Sequence, residues 1–175
     1  KNGWYKEAGV DLDIEAGRGS AASAQKVAAG SSQIGLSDMA GGLLFNGKGA
    51  NLVGVMNIYA NSPQGMYWKK SSGIKSVKDL KGKVIASDGT GSVSTYEVGK
   101  MLEREGLTIA DVEIKVIPFP QMSVAFTNKA IDAAIVIPPF VWAFEDQKIA
   151  VKFGEADDLI QPSPMTIAVI MVNTD

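Results

Sequence analysis

Two stretches rich in glycine and hydroxyl residues stand where a strand-like run gives way to a helix-like run. One is Gly17-Arg18-Gly19-Ser20-Ala21-Ala22, and the other is SDGTGSVSTYEVGKML, residues 87–102. Backbone N–H groups at the start of a helix lack partners within the helix and carry a partial positive charge. Such loops can hold a phosphate, a small anion or a cofactor. Both stretches are therefore candidate binding loops.

The first stretch fits the relaxed dinucleotide fingerprint G-x-G-x-x-A, and Asp38 follows about twenty residues later at the end of the next predicted strand. This spacing makes an NAD(P)-dependent oxidoreductase, using residues 17–22 and Asp38, the alternative function. Against it, the preceding run VDLDIE alternates polar and apolar residues, whereas a central parallel strand is apolar on both faces.

The second stretch matches neither phosphate motif. A P-loop needs Gly-Lys followed by Ser or Thr, and the dinucleotide pattern needs Gly or Ala at the position of Ser94. What remains is a helix N-terminus capped by Ser92, or by Ser94 in a capping box with Glu97. Simple capping explains either loop alone. If Gly19-Ser20 and Gly91-Ser92 face each other across a cleft, they surround a small ligand with donors.

Further candidates lie at the ends of predicted strands. Ser37-Asp38 ends one strand and precedes a helix, so Asp38 is either an N-cap or a ligand contact at the carboxyl edge of the sheet. Pro138-Pro139 holds the matching place in the second half of the chain. Trp142, beyond it, is either a packing residue or the wall of a pocket.

Composition narrows the function. The 175 residues are 46% apolar, with 17 basic and 19 acidic residues and no basic run, so the chain can bury a core and we expect no nucleic-acid binding. Cysteine and histidine are both missing from the sequence, which removes disulfides, thiolate nucleophiles, most zinc sites and the serine–histidine pair. We expect no catalytic residues, no metal and no cofactor.

Strand-like and helix-like runs alternate, which predicts an α/β protein with a largely parallel sheet. The predicted strands are residues 10–15, 33–37, 51–59, 65–69, 83–87, 113–117, 133–137, 151–153 and 166–172. The predicted helices are residues 20–29, 39–45, 76–80, 122–128 and 139–147, and one that ends at Gly106. The two halves repeat the order strand, helix, strand, helix, and residues 57–70 between them form a hinge or an ordinary loop. A helix end at residues 2–9 and a closing strand predict further segments on both sides.

Four segments occur in a distinctive order: GWYKEAGVDLDI, GRGSAASAQKVAAGSSQIGLSD, SGIKSVKDLKGKVIASDGTGS and NKAIDAAIVIPPFV. They resemble the substrate-binding proteins of bacterial ABC importers, in the branch that includes nitrate, taurine, alkanesulfonate and thiamine-pyrimidine binders. The resemblance covers nearly the whole chain. It implies a type II periplasmic-binding-protein fold, incomplete at both ends, with two α/β lobes joined by a hinge of two crossover strands, residues 58–67 and 168–172.

Lobe 1 would comprise residues 1–62, with residues 168–175 returning to it, and lobe 2 residues 63–167. In such proteins a ligand binds between the lobes, the lobes close, and the closed form meets a membrane permease. The resemblance thus implies a monomeric solute-binding protein without catalysis, periplasmic or lipid-anchored outside the cytoplasm. Its partners would be a small molecule and an ABC permease of the inner membrane. The same fold also serves sensors and a thiamine-pathway synthase, but the yeast-like synthase depends on cysteine and histidine.

Several residues fall where the family contacts its ligand. They are Gly19, Ser20, Ala21, Ser37, Asp38, Asn61, Gly91, Ser92 and Val93, to which the strand and loop patterns add Thr90, Pro139 and Trp142. Many relatives carry a polar residue before the proline of the IPPF segment, where this chain has Ile137 and Pro138, so a polar contact is not expected there. Paired helix N-termini favour a sulfonate or nitrate, Asp38 favours an amine, amide or aminopyrimidine, and a zwitterion such as taurine suits both.

Overall fold

A computed structural model describes residues 2–17, 19–159 and 166–175. Its helices are α1 (Trp4–Glu7), α2 (Ser20–Ala28), α3 (Met39–Asn46), α4 (Val93–Arg104), α5 (Met122–Thr127), α6 (Trp142–Gln147) and α7 (Ala156–Leu159). Its strands are β1 (Ile34–Asp38), β2 (Leu52–Asn57), β3 (Gly65–Lys69), β4 (Val84–Ser87), β5 (Glu113–Val116), β6 (Ala133–Val136), β7 (Ala150–Glu155) and β8 (Ala168–Asn173). Short 3₁₀ turns cover Val77–Leu80, Ile109–Asp111 and Phe119–Gln121.

The strands form two separate sheets. One has the order β1-β8-β2, and the other has the order β5-β4-β6-β3-β7. Helices α2 and α3 accompany the first sheet, and α4 to α7 accompany the second. The predicted α/β class with two lobes is confirmed. The exact division of the chain after residues 62 and 167 stays a prediction.

The prediction of a largely parallel sheet is wrong. Strand β8 runs antiparallel to both β1 and β2, and β3 runs antiparallel to both β6 and β7. Among the described strands, the only parallel pairs are β4 with β5 and β4 with β6. A helical connection makes successive strands parallel, and helices α4 and α5 do so here. Strands β3 and β8 instead follow the segments that cross between the sheets, and each enters its sheet in the opposite direction.

Two predicted elements also differ from the structure. Residues 10–15 form no strand, and within the described chain no strand pairs with them. Alternating polarity supplies an apolar face, but a strand also needs a hydrogen-bonded neighbour. The predicted helix 139–147 begins only at Trp142, because residues before it form a turn in which the Trp142 N–H donates to the Pro139 carbonyl.

Each lobe has its own core. In lobe 1, Val169 and Met171 of β8 pack with Ala24 and Val27 of α2. In lobe 2 the sheet is covered on both faces, because Ile85 packs with the buried α4 stripe while Tyr67 packs with buried phenylalanines of α5 and α6. That stripe consists of Val98, Met101 and Leu102, which the spacing i, i+3, i+4 places on one face of the helix. Among the described residues, no helix is long and apolar enough to cross a membrane.

The two segments that cross between the lobes lie side by side. The Ile58 N–H donates to the Ala168 carbonyl at 2.7 Å, and the Ile167 N–H donates to the Tyr59 carbonyl at 3.4 Å. Further along the first segment, the Ser94 hydroxyl of α4 donates to Gln64 Oε1 at 2.6 Å. The crossing segment is therefore fastened to α4, the helix that follows the second candidate binding loop.

Gly35 of β1 lies directly under α2. A Cβ atom there would stand 2.6 Å from Val27 Cγ2 and 2.9 Å from Ser23 Oγ. We predict that Gly35→Ala lowers the free energy of unfolding by about 1–3 kcal/mol through overpacking. Urea denaturation followed by circular dichroism measures the change.

Gly99→Ala is the matched control. Gly99 lies inside α4, and a Cβ there would meet nothing within 4 Å. Alanine should raise the free energy of unfolding by about 0.5–1 kcal/mol, because it restricts the unfolded chain and favours the helix. Wild-type stability in Gly35→Ala would contradict the close packing of α2 on β1.

Candidate functional site between the lobes

Asp38 is a buried carboxylate at the carboxyl end of β1, with 4% of its surface exposed. As the N-cap of α3, its Oδ1 accepts a hydrogen bond from the Gly41 N–H at 2.5 Å. A side chain at position 41 would hinder this approach, since a Cβ there would lie 3.1 Å from Asp38 Oδ1 and 2.9 Å from Ser37 Oγ. The Ser37 hydroxyl donates to the Ser20 carbonyl at 2.9 Å, which places the start of α2 beside this strand end.

The N-terminus of α4 is fixed by its own loop. Ser92 is the N-cap, and its Oγ accepts a long hydrogen bond from the Thr95 N–H at 3.5 Å. The same hydroxyl lies 2.9 Å from Asp88 Oδ1 and 2.8 Å from the Gly89 carbonyl, to which it can donate. Of the two caps that the sequence allows, the structure has Ser92. Ser94 lies inside the helix.

The two helix starts meet across the lobes. Asp38 Oδ2 accepts a hydrogen bond from the Val93 N–H, the first residue of α4, at 2.9 Å. Two close approaches accompany this bond. A Cβ on Gly19 would lie 3.9 Å from the Asp88 carbonyl, and a Cβ on Gly91 would lie 3.4 Å from Leu44 Cδ2. We call the residues of these three contacts the interlobe contact.

The carboxylate of Asp38 is balanced between opposing influences. Burial raises its pKa, while hydrogen bonds from the Val93 and Gly41 amides and from the Ser20 side chain lower it in part. The charge of Asp88 on the other lobe raises the pKa further. The ionised form thus depends on amides from both lobes to replace its hydration.

A groove of about 510 Å³ runs beside the interlobe contact. Its lining includes Leu44 of α3, Thr95 and Tyr96 of α4, and Ile109. Tyr96 is 43% exposed, and the Lys100 ammonium lies 5.7 Å from the centre of its ring. Its volume lies in the range of sites for small organic molecules, and its lining combines apolar and hydroxyl side chains with the charged Lys100 and Glu103.

The predicted binding residues divide into two groups. Those at the interlobe contact or in the elements that form it are Gly19, Ser20, Ala21, Ser37, Asp38, Thr90, Gly91, Ser92 and Val93. Asn61, Pro139 and Trp142 are exposed, and no hydrogen bond in the described part of the chain joins them to that contact. The role of every one of these residues toward a ligand stays a prediction.

Sequence reasoning missed Gly41 and Asp88. Gly41 is the second amide partner of Asp38, and Asp88 holds the capping hydroxyl of α4. A signal for Asp88 exists, because the dipeptide Ser-Asp occurs at the end of β1, as Ser37-Asp38, and again where β4 ends at Ser87 and Asp88 follows. No group of three or more acidic residues placed to hold a metal ion occurs among the residues described.

Two α/β lobes whose candidate binding loops meet between them are the arrangement of the periplasmic-binding-protein fold. The family model described as NMT1/THI5 like matches residues 1–175, so the chain belongs to the NMT1/THI5-like family. A search of curated proteins finds no match.

Solved structures share the fold. The alkanesulfonate-binding protein SsuA from Xanthomonas axonopodis pv. citri, bound to MOPS, is 18% identical with a TM-score of 0.79, over 97% of this chain and 57% of that one. A Bordetella bronchiseptica RB50 protein is 22% identical with a TM-score of 0.87, over 98% and 56%. The periplasmic aliphatic sulphonate binding protein SsuA from Escherichia coli is 20% identical with a TM-score of 0.74, over 97% and 57%. The chain thus spans little more than half the length of these proteins, and the likeness establishes the fold.

The capping role of Ser92 gives a stability prediction. Ser92→Ala removes the hydroxyl that organises residues 88–95, so it should lower the free energy of unfolding by about 0.5–2 kcal/mol. Thr90→Ala, two residues earlier and exposed, should change it by less than about 0.5 kcal/mol. Equal losses in the two variants, measured by urea denaturation, would show that Ser92 has no special part in the start of α4.

Proposed function

We propose that the chain is the two-lobed ligand-binding part of a solute-binding protein of an ABC importer, with its ligand held between the lobes. The observation that carries the proposal is the hydrogen bond between Asp38 Oδ2 and the Val93 N–H, at which candidate binding loops of both lobes converge. Membership of the NMT1/THI5-like family supports it. The lobes would close on the solute and present the closed form to a membrane permease.

The proposed ligand class is a small organic sulfonate. The first amide of α4 already holds an oxygen anion, the Asp38 carboxylate, so its donor geometry suits an oxyanion. A sulfonate offers similar acceptor oxygens. Two of the structures that share the fold are described as binding sulfonates.

A zwitterion suits this site better than a simple anion. If a sulfonate takes the Val93 amide, the Asp38 carboxylate loses one of its two backbone donors while remaining largely buried. A ligand ammonium group can replace that donor, whereas an uncharged alkyl chain cannot. Taurine carries both groups and is therefore the preferred probe.

The setting of the proposed protein follows from its class. We infer an extracytoplasmic, monomeric component, periplasmic or lipid-anchored, whose macromolecular partner is an inner-membrane ABC permease. The binding step needs no bond making or breaking, so no catalytic residue is assigned.

The oxidoreductase alternative lacks structural support. In the described chain no strand precedes the G-x-G-x-x-A stretch, whose Arg18 lies outside the described residues. Both carboxylate oxygens of Asp38 accept backbone hydrogen bonds, from Gly41 and Val93, instead of facing open solvent as a ribose-binding group would.

Calorimetric titration with taurine, ethanesulfonate, nitrate and an aminopyrimidine tests the proposal. We predict that taurine binds roughly tenfold more tightly than ethanesulfonate, because a charge-assisted hydrogen bond is worth about 1.5 kcal/mol or more. Asp38→Asn should remove this preference, and Glu113→Gln, which removes one negative charge at the exposed start of β5 in the other lobe, should keep it.

Two results would contradict the proposal in different ways. An absence of heat and of thermal stabilisation with all four compounds would remove the binding function as stated. Tight ethanesulfonate binding with no gain for taurine would keep a sulfonate-binding function and remove the assigned role of Asp38. Binding of NADH, followed by its fluorescence, would instead favour the oxidoreductase.

A further inference from the structure

The bond between Asp38 and Val93 joins two groups that are each fixed within their own lobe. Asp38 Oδ1 is held by the Gly41 amide of α3, and the start of α4 is held by the Ser92 cap. Neither end can follow the other if the lobes rotate apart. Separation of the lobes therefore has to break the 2.9 Å bond between Asp38 Oδ2 and the Val93 N–H.

We propose that Asp38 is an interlobe latch: its carboxylate holds the lobes together at the Val93 amide and competes there with an incoming oxyanion. This goes beyond the proposed binding function, because it states that a residue of the chain, and not the ligand, holds the lobes together. It also makes Asp38 a specificity residue, since a ligand oxygen must bind the Val93 N–H more strongly than the Asp38 carboxylate does.

The latch is the one hydrogen bond of the interlobe contact among the described residues. Outside the crossing segments, no other hydrogen bond links the two lobes in the part of the chain that the structure describes. At Gly19 and Gly91 the lobes are near each other without a hydrogen bond, since an added Cβ would lie 3.9 Å from the Asp88 carbonyl and 3.4 Å from Leu44 Cδ2. The charge of Asp88 opposes the approach of Asp38, so the attraction at this point comes from the amide.

Two substitutions remove opposite ends of the bond. Asp38→Asn leaves one side-chain oxygen, which can keep capping α3 at Gly41 but then turns an amide NH₂ toward the Val93 N–H. Val93→Pro deletes the donor itself at the first position of α4, where proline is favoured. The residue before it, Ser92, already has the extended backbone (φ -76, ψ 160) that a following proline requires.

The absence of cysteine from the sequence makes the lobe separation directly measurable. Gln25 in α2 and Gln147 in α6 are exposed and lie in different lobes. Spin labels on Gln25→Cys and Gln147→Cys report the distance between the lobes by pulsed electron paramagnetic resonance. Tris chloride buffer, without sulfonate, phosphate or any ligand, keeps the test independent of the proposed function.

We expect Asp38→Asn and Val93→Pro each to shift the distance distribution to longer values, and their combination to add no further shift. Glu113→Gln, at the exposed start of β5, should retain the wild-type distribution. A wild-type distribution in either single variant whose circular dichroism shows a native fold overturns the latch, and so does an equal shift in Glu113→Gln. Failure of every compound to bind in calorimetry removes the proposed ligand without changing these distances, so the two ideas fail separately.

Discussion

The carboxylate of Asp38 is shared between the N-termini of α3 and α4, which belong to different lobes. A hydrogen bond to a charged group contributes about 1.5–3 kcal/mol net, and leaving such a group buried without its donors costs more. The closed arrangement of the lobes and the burial of Asp38 therefore depend on each other. The interlobe contact excludes water from the Asp38 carboxylate. The Gly41 and Val93 amides, which donate to it, take the place of that water.

The rest of the structure positions this carboxylate and its donors. Strand β1 ends at Asp38, and the small residues at positions 41 and 42 let α3 start close to the strand. On the other side, α4 is anchored within its first two turns, because Ser94 donates to Gln64 and Glu97 accepts a 2.8 Å hydrogen bond from Ser62. These buried polar pairs tie α4 to the crossing segment. A rotation at the hinge would therefore carry the Val93 amide with it.

The sequence could predict features that depend on local pattern. The apolar stripe of α4 and the helix start at residues 92–94 follow from spacing alone, and β1 and β4 were predicted within two residues of their ends. The sequence predicts Asp38 as a cap, which the structure confirms, and as a ligand contact, which stays a prediction. Its partner Val93 lies 55 residues away in the other lobe, and no local pattern encodes such a contact. The prediction of parallel strands is wrong for the same reason. Strands β3 and β8 pair with strands distant in the sequence, and local pattern does not encode the direction of such pairs.

The bond between Asp38 and Val93 is the central claim, and scalar coupling across hydrogen bonds tests it most directly. In a long-range HNCO-type spectrum of labelled protein, tuned to side-chain carboxylate carbons, the Val93 amide nitrogen should show a cross peak to the Asp38 Cγ. The Gly41 amide, which bonds the same carboxylate within one lobe, should show its own cross peak and acts as an internal control. A Gly41 peak without a Val93 peak would contradict the account, because Asp38 would then be a cap of α3 and nothing more.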